Sequence, residues 1–260
     1  MKLVCLNAWE GKRFDALAQF ISKMSQETDF FCFQEVSRAG YIKQENPHFR
    51  LNLLDDFSRL LPEFHFSFAP MLSANNFAKG FATNVSIGNA IFSKKKFEVI
   101  DEGNFYPFGF SYEFLEKDPH KVSMLQHMKL RIADKMLTLV NVHGIARWPK
   151  IDTPERMEQL RSIEHFLLKA SAPVILCGDL NLFSNTESIK ALGKNMKNLT
   201  EEFSILTTRS AIAREQFSAQ IDKDTISDYV FMSPDIKVQS FIVPEMEISD
   251  HLPLVATFSL

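Results

Sequence analysis

An α/β fold of mixed strands and packed helices is predicted from three stretches of the chain. Residues 2–33 read strand, helix, strand with no hairpin between, which is a crossover unit whose two strands run parallel. Residues 122–142 hold two apolar runs split by Ala133-Asp134-Lys135, the pattern of an antiparallel hairpin. The third is Ala172-Pro173-Val174-Ile175-Leu176-Cys177-Gly178-Asp179-Leu180-Asn181, an apolar run between a proline and a glycine that reads as a strand buried on both faces. Two polar groups, Asp179 and Asn181, close that strand, and their spacing of two turns both side chains the same way. A carboxylate and an amide on a rigid strand end suit a site that orients water and holds a phosphoryl oxygen; taken alone, the pair is better read as making turn hydrogen bonds.

In chain order, Lys2 to Leu6 is the first apolar strand and ends in Asn7-Ala8-Trp9. Phe14, Leu17, Ala18, Ile21 and Met24 recur at three- and four-residue intervals, so residues 12–24 form a helix with one apolar face. Phe30 to Phe33 is the second strand, ending in Gln34-Glu35, and the crossover brings Asn7 and Glu35 to one sheet edge, an oxygen-donor pair suited to Mg²⁺. Leu53, Leu54, Phe57, Leu60 and Leu61 mark a helix stopped by Pro62. Strands follow at Phe64–Ala69 and Val85–Phe92, joined through the polar segment Ser73–Thr83. The basic triplet Lys94-Lys95-Lys96 reads as a solubilising turn, with attraction of a phosphate-bearing ligand as the alternative.

Residues 102–121, with Phe105, Phe108, Phe110 and Phe114, read as an ordered loop that could set substrate specificity. Thr153-Pro154 is an N-cap with proline at the first helical position, and Met157, Leu160, Ile163 and Leu167 form that helix's apolar stripe. Ser184-Asn185-Thr186-Glu187 has the spacing of a capping box for a helix of about residues 185–192, closed by Gly193. Residues 194–221 give no clear pattern. Strands close the chain at Thr225–Phe231, Ile236–Val243 and Val255–Phe258, the first carrying Asp228, which must be paired if buried.

With 260 residues, 45% of them hydrophobic, and no linker, charge block or repeat, the chain is expected to form one domain over residues 1–260. A net charge of -3 argues against a strongly basic nucleic-acid surface. Cys5, Cys32 and Cys177 each fall in an apolar run, as buried reduced thiols of a cytoplasmic protein do. No apolar run reaches the ~18 residues of a membrane span, and the first is too short for a signal peptide.

Polar residues at strand ends form a set: Asn7, Glu35, His143, Asp179, Asn181, Asp228, Asp250 and His251. Any one of them has an ordinary reading as a turn residue or a satisfied core carboxylate; their joint order does not. That order runs through Gln34-Glu35, Gly88-Asn89-Ala90-Ile91, Asn141-Val142-His143, Gly178-Asp179-Leu180-Asn181, Ser227-Asp228-Tyr229-Val230-Phe231 and Ser249-Asp250-His251-Leu252-Pro253. It resembles the endonuclease/exonuclease/phosphatase superfamily over nearly the whole chain.

The resemblance implies a DNase I-like fold: a four-layer α/β/β/α sandwich of two packed mixed sheets flanked by helices, with the site at the sheet rims. It also implies divalent-metal hydrolysis of a phosphate ester. Asn7, Glu35 and Asp250 would hold Mg²⁺ or Mn²⁺, which polarises the phosphoryl group. Asp179 would orient or deprotonate water, Asn181 and His143 would donate to phosphoryl oxygens, and Asp228 would fix the tautomer of His251. Asp179 and His251 both stand open as the general base.

The family's repair enzymes continue Gln-Glu with Thr-Lys, where this chain has Val36-Ser37, and they place a second Asn or Asp where Trp9 stands. Those departures and the acidic balance argue against an abasic-site endonuclease. The helix pattern Glu155-Arg156-Met157-Glu158-Gln159-Leu160 looks more like the branch of sphingomyelinases, deadenylases and tyrosyl-DNA phosphodiesterases. The expected activity is phosphodiester hydrolysis, on nucleic acid or a related substrate, with a small-molecule or lipid-headgroup phosphatase as the alternative. Trp9 could stack on a base or sugar, or pack beneath the first helix. A catalytically silent binding module is the rival of another class, disfavoured because it would not need charges gathered at one rim.

Overall fold

The computed structural model describes residues 1–73, 78–109, 122–171, 173–216, 218 and 225–260. Its strands are β1 Lys2–Asn7, β2 Phe30–Arg38, β3 Tyr41–Ile42, β4 Phe64–Ser73, β5 Ala82–Thr83, β6 Ser86–Lys94, β7 Glu98–Phe108, β8 Ser123–Ile132, β9 Lys135–His143, β10 Val174–Asp179, β11 Lys197–Asn198, β12 Asp228–Met232, β13 Lys237–Ile242 and β14 Leu254–Ser259. The helices are α1 Phe14–Met24, α2 Leu53–Leu60, α3 Pro154–Lys169, α4 Glu187–Gly193, α5 Leu199–Glu202 and α6 Ala211–Gln216.

Two six-stranded sheets carry the fold, in the orders β13-β14-β1-β2-β6-β4 and β11-β12-β10-β9-β8-β7. Each is mixed because each contains one parallel crossover: β1 with β2 around α1, and β9 with β10 around α3. The sheets pack face to face on alternate residues of their strands, with Leu3, Cys5, Cys32 and Ile91 from one meeting Met128, Leu139, Ile175, Cys177 and Val230 from the other. The other faces of the same strands bury helices. Val4, Phe31, Phe33 and Phe92 receive α1 and α2 through Leu17, Ile21, Leu54 and Phe57. Val140, Leu176, Tyr229 and Phe231 receive α3 and α4 through Leu160, Ile163, Ile189 and Leu192. These layers are the expected α/β/β/α sandwich. All three cysteines are buried and free.

Several local expectations need correction. Residues 102–108 are not loop: β7 runs from Glu98 to Phe108 and pairs with β8 through two register shifts, and these bulges blur the two-residue alternation that marks a strand. Phe110 and Phe114, with the rest of 110–121, lie outside the described residues, as do Ala172 and residues 74–77 of the Ser73–Thr83 connection. The N-cap of α4 is Thr186 rather than Ser184: its side chain accepts from the Ile189 N–H, and the Asp152 carboxylate takes the Glu187 and Ser188 N–H groups. The Lys94–Lys96 turn is tied to the fold, with Lys94 and Lys95 donating to the carbonyls of Gln26 and Pro62 and Lys96 pairing with Asp29 at 2.7 Å. None of the three lines the cleft described below.

Candidate active site

Strand register assembles the site. In β9 and β10, which are parallel, His143 lies beside Asp179, and across the antiparallel β10–β12 pair Asp179 lies beside Asp228. On the other sheet Asn7 ends β1 beside Gln34. The β2–β6 register shifts between Phe33 and Val36, and within that bulge Glu35 takes φ +54°. A left-handed conformation costs a non-glycine residue about 1–2 kcal/mol, so the bulge holds Glu35 in place at a cost to the fold. Gly178, with φ +140°, lets β10 approach β9 so closely that a Cβ there would lie 1.9 Å from the Val142 carbonyl oxygen.

The rims of the two sheets meet in a hydrogen-bonded cluster. The Asn7 amide Nδ2 donates to Glu35 Oε1 at 3.1 Å and to Asp179 Oδ2 at 3.3 Å, while its Oδ1 accepts from the Trp9 N–H at 3.0 Å. His143 Nε2 stands 3.8 Å from Glu35 Oε1. His251 Nδ1 donates to Asp228 at 2.8 and 2.9 Å, and its Nε2 faces Asp179 Oδ2 at 3.6 Å and Asp250 Oδ2 at 3.8 Å. Asp228 also accepts from Thr208 Oγ1 at 2.7 Å and Ser227 Oγ at 3.0 Å, which meets the requirement that a buried aspartate be paired. The Asn181 N–H donates to Asp179 Oδ1 at 2.9 Å, so this pair makes its turn hydrogen bond and still faces the cleft.

A cleft of about 330 Å³ opens over the cluster, lined among others by Trp9, Glu35, His143, Lys150, Asp179, Asn181, Arg209, Asp250 and His251. Asn7 and Asp228 lie behind this lining. Trp9 faces the cleft, with the Lys12 ammonium 4.7 Å from its ring centre.

The electrostatics pull in two directions. Burial alone would raise the Asp179 carboxyl, but Lys150, then His251, Arg209 and His143, hold it well below the usual carboxylate range. Asp250 goes the other way: burial pushes it up, His251 and Arg209 oppose, and the neighbouring charges of Glu35 and Asp179 add to the rise. For His251, burial and Arg209 work against the charged ring, and Asp228, Asp250 and Asp179 outweigh them, so it is raised.

Asp250, pushed up by burial and by the charges beside it, is a donor which a hard divalent cation would relieve, and the oxygens of Glu35, Asp250 and Asn7 suit Mg²⁺ or Mn²⁺. Asp179, Asp228 and His251 also place one ligand atom each within 4.8 Å of one another. The Asp228 oxygens are already taken by three side-chain donors, one of them His251 Nδ1, so within this second group Asp228 and His251 are occupied with each other.

Arg209 was not read from sequence. Its guanidinium bonds to Asp250 Oδ2 at 3.3 Å and contacts His251 Nε2. It sits in a segment whose backbone pairs with residues 250–252, through Ser210 N to Asp250 O and Leu252 N to Thr208 O. Lys150, buried in the connection between β9 and α3, was missed as well. Neither belongs to an apolar period; the one local signal is the hydroxyl-rich Thr207-Thr208-Arg209-Ser210.

The endonuclease/exonuclease/phosphatase family model matches residues 5–251. No curated protein matches by sequence. Among solved structures, a family protein from Bacteroides vulgatus superposes with a TM-score of 0.71 at 17% identity, covering 100% of this chain and 98% of that one. A mannosyl-6-phosphatase from Bacteroides thetaiotaomicron gives 0.70 at 15% identity, with 100% of both chains covered. The human Nocturnin catalytic domain, with a bound sulfate anion, gives 0.69 at 18% identity, covering 100% of this chain and 93% of that one. At these identities the superpositions speak for the fold, while the family match spans nearly the whole sequence and both sheet rims. The chain belongs to the endonuclease/exonuclease/phosphatase family, whose members are generally metal-dependent phosphoesterases.

Proposed function

We propose that the protein is a divalent-metal-dependent hydrolase of phosphate esters, acting on a phosphodiester. The observation that carries this reading is the convergence of Asn7, Glu35, Asp179 and the His251–Asp228 pair within 2.8–3.6 Å contacts at one cleft. Glu35, Asp250 and Asn7 would hold Mg²⁺ or Mn²⁺, which would polarise the phosphoryl group and offset charge on the leaving oxygen. Asp179, kept ionised by its cationic neighbours, orients the water and draws off its proton as the new O–P bond forms and the ester P–O bond breaks. Asn181 and His143 donate to non-bridging oxygens; both ring nitrogens of His143 are buried without a hydrogen-bond partner among the described residues, as a donor awaiting a ligand would be. Asp228 holds the His251 ring with Nε2 toward Asp179 and Arg209, where it would face the reacting group.

The test is hydrolysis of bis-(p-nitrophenyl) phosphate by the full chain with Mg²⁺ or Mn²⁺, run beside the monoester p-nitrophenyl phosphate. The monoester arm is included because one structural neighbour is named a phosphatase. Activity should vanish with EDTA and fall about 100-fold or more in Glu35→Gln. Turnover that survives both treatments would overturn the reading; turnover of the monoester alone would reassign the substrate.

A further inference from the structure

Lys150 is 3% exposed, and its ammonium has no hydrogen-bond partner among the described residues. A lysine left this way is unusual: its ammonium lies 5.8 Å from the Trp148 ring centre and feels the Asp179 charge, but a buried ammonium without a hydrogen-bond acceptor is costly. Nor is the side chain there by accident of a loose loop. The Lys150 carbonyl accepts from the Phe183 N–H at 2.9 Å, which ties it to the segment carrying Asn181. The carbonyls of Pro149 and Ile151 on either side are both held by the buried Arg156 guanidinium, at 2.6 and 2.7 Å. The backbone at Lys150 is therefore held in place, and its buried side chain lines the same cleft as Asp179 and Asn181.

We propose that Lys150 is a further catalytic residue, its ammonium contacting a non-bridging oxygen of the phosphoryl group that Asn181 and His143 also face. This assignment rests on the hydrolytic reading above. An anion in the cleft supplies the hydrogen-bond acceptor that the fold withholds, and because the side chain is already buried little of its freedom is lost on contact. Burial pushes the ammonium down to about 8, with the Asp179 charge the largest influence keeping it protonated, which agrees with a cation held ready for an anionic ligand.

The experiment compares Lys150→Met with the parent in three measurements on the full chain: calorimetric binding of inorganic phosphate in the presence of Mg²⁺, binding of Mn²⁺, and ester hydrolysis. The expected result is phosphate affinity lower by about 10- to 100-fold and kcat/KM lower by a similar factor or more, with Mn²⁺ affinity unchanged. Lys150→Arg, which keeps the charge, should recover part of both losses. Phosphate affinity and kcat/KM equal to the parent's would overturn the assignment while leaving the hydrolytic reading intact, and so would a loss that extends equally to Mn²⁺. A parent that neither binds phosphate nor hydrolyses an ester would sink the hydrolytic reading and the Lys150 role with it. Replacing the buried charge by a chain of similar volume should not lower the thermal midpoint; were Lys150→Met nonetheless unfolded, Lys150→Gln with the same three measurements decides.

Discussion

Asp228 shows how one side chain is specified by what surrounds it. Its carboxylate takes His251 Nδ1–H, the Thr208 hydroxyl and the Ser227 hydroxyl, so it is satisfied without facing the cleft. Its effect on chemistry runs through the His251 ring, whose Nε2 it aims at Asp179 and Asp250. In Asp228→Asn an amide faces Nδ1, and an amide NH₂ turned toward the ring would favour the tautomer with its proton on Nε2. The expected outcome is a fall in kcat of about 100-fold or more, with Mn²⁺ affinity unchanged because Asp228 is not among the proposed ligands. Steady-state kinetics beside metal titration check this; an unaltered kcat would remove His251 from the mechanism.

At the scale of elements, the connection between β9 and α3 carries most of the chemistry that was not legible in the sequence. Arg156, in the first turn of α3, reaches back to the carbonyls of Ile145, Arg147, Pro149 and Ile151, and the Gln159 Oε1 accepts from the Ile145 N–H at 3.0 Å. One guanidinium thus satisfies four carbonyls of a segment that has no regular structure of its own. Arg156→Met should lower stability by about 2–4 kcal/mol, since four carbonyls, that of Ile145 buried, lose a charged donor together. It should also raise KM for the ester by loosening Lys150; denaturant unfolding and kinetics on the folded fraction check both. Thr153-Pro154 announced α3 because an N-cap and its first turn are contiguous in the chain. Arg156 stood out only as part of the Glu155–Leu160 helix pattern, and its structural role did not, because its partners are carbonyls, which carry no side-chain signature. The same limit hid Arg209, whose segment is held by backbone bonds to residues 250–252. The Glu35, Asp179 and Asp250-His251 positions were legible because each sits at the end of an apolar run, where a polar residue stands out. How far apart they lie was not, since that depends on how two sheets pack.

The whole molecule divides the proposed chemistry between its two sheets. Asn7, Glu35 and Asp250 all belong to the sheet that contains β1, β2 and β14 or to the turn leading into it, whereas His143, Asp179 and Asp228 belong to the sheet of β9, β10 and β12. The proposed metal ligands are therefore placed relative to one another by a single sheet and the turn leading into it. A metal on that set and a water on Asp179 would be placed relative to each other by how the sheets stack, with the Asn7–Asp179 and His251–Asp228 bonds joining the two rims at the site. A buried polar latch sets that stacking beneath the site. The Gln34 amide donates to Asn141 Oδ1 at 2.6 Å, and the Asn141 Nδ2 donates to the carbonyls of Phe33 at 3.0 Å and Ala90 at 3.3 Å. Asn89 completes it from the first sheet by donating to the Asn141 carbonyl at 3.1 Å. Directional bonds of this kind specify one register between two otherwise apolar faces, which dispersion and burial alone would hold less strictly. Removing the Asn141 side chain leaves the Gln34 amide only the weak Cys5 Sγ acceptor at 3.6 Å and takes a donor from two strand carbonyls, at a cost of about 1–3 kcal/mol. Because an ångström of misplacement between reacting groups can cost about 100-fold in rate, Asn141→Ala should lose kcat well beyond what its stability loss explains. Its Mn²⁺ affinity should stay within about twofold of the parent's, the one-sheet ligand set being untouched, whereas Glu35→Gln should lose both. Calorimetric metal titration and single-turnover hydrolysis on the same two variants separate these effects. Loss of metal binding in Asn141→Ala would show that the ligand set depends on both sheets, and the division of labour between them would fall.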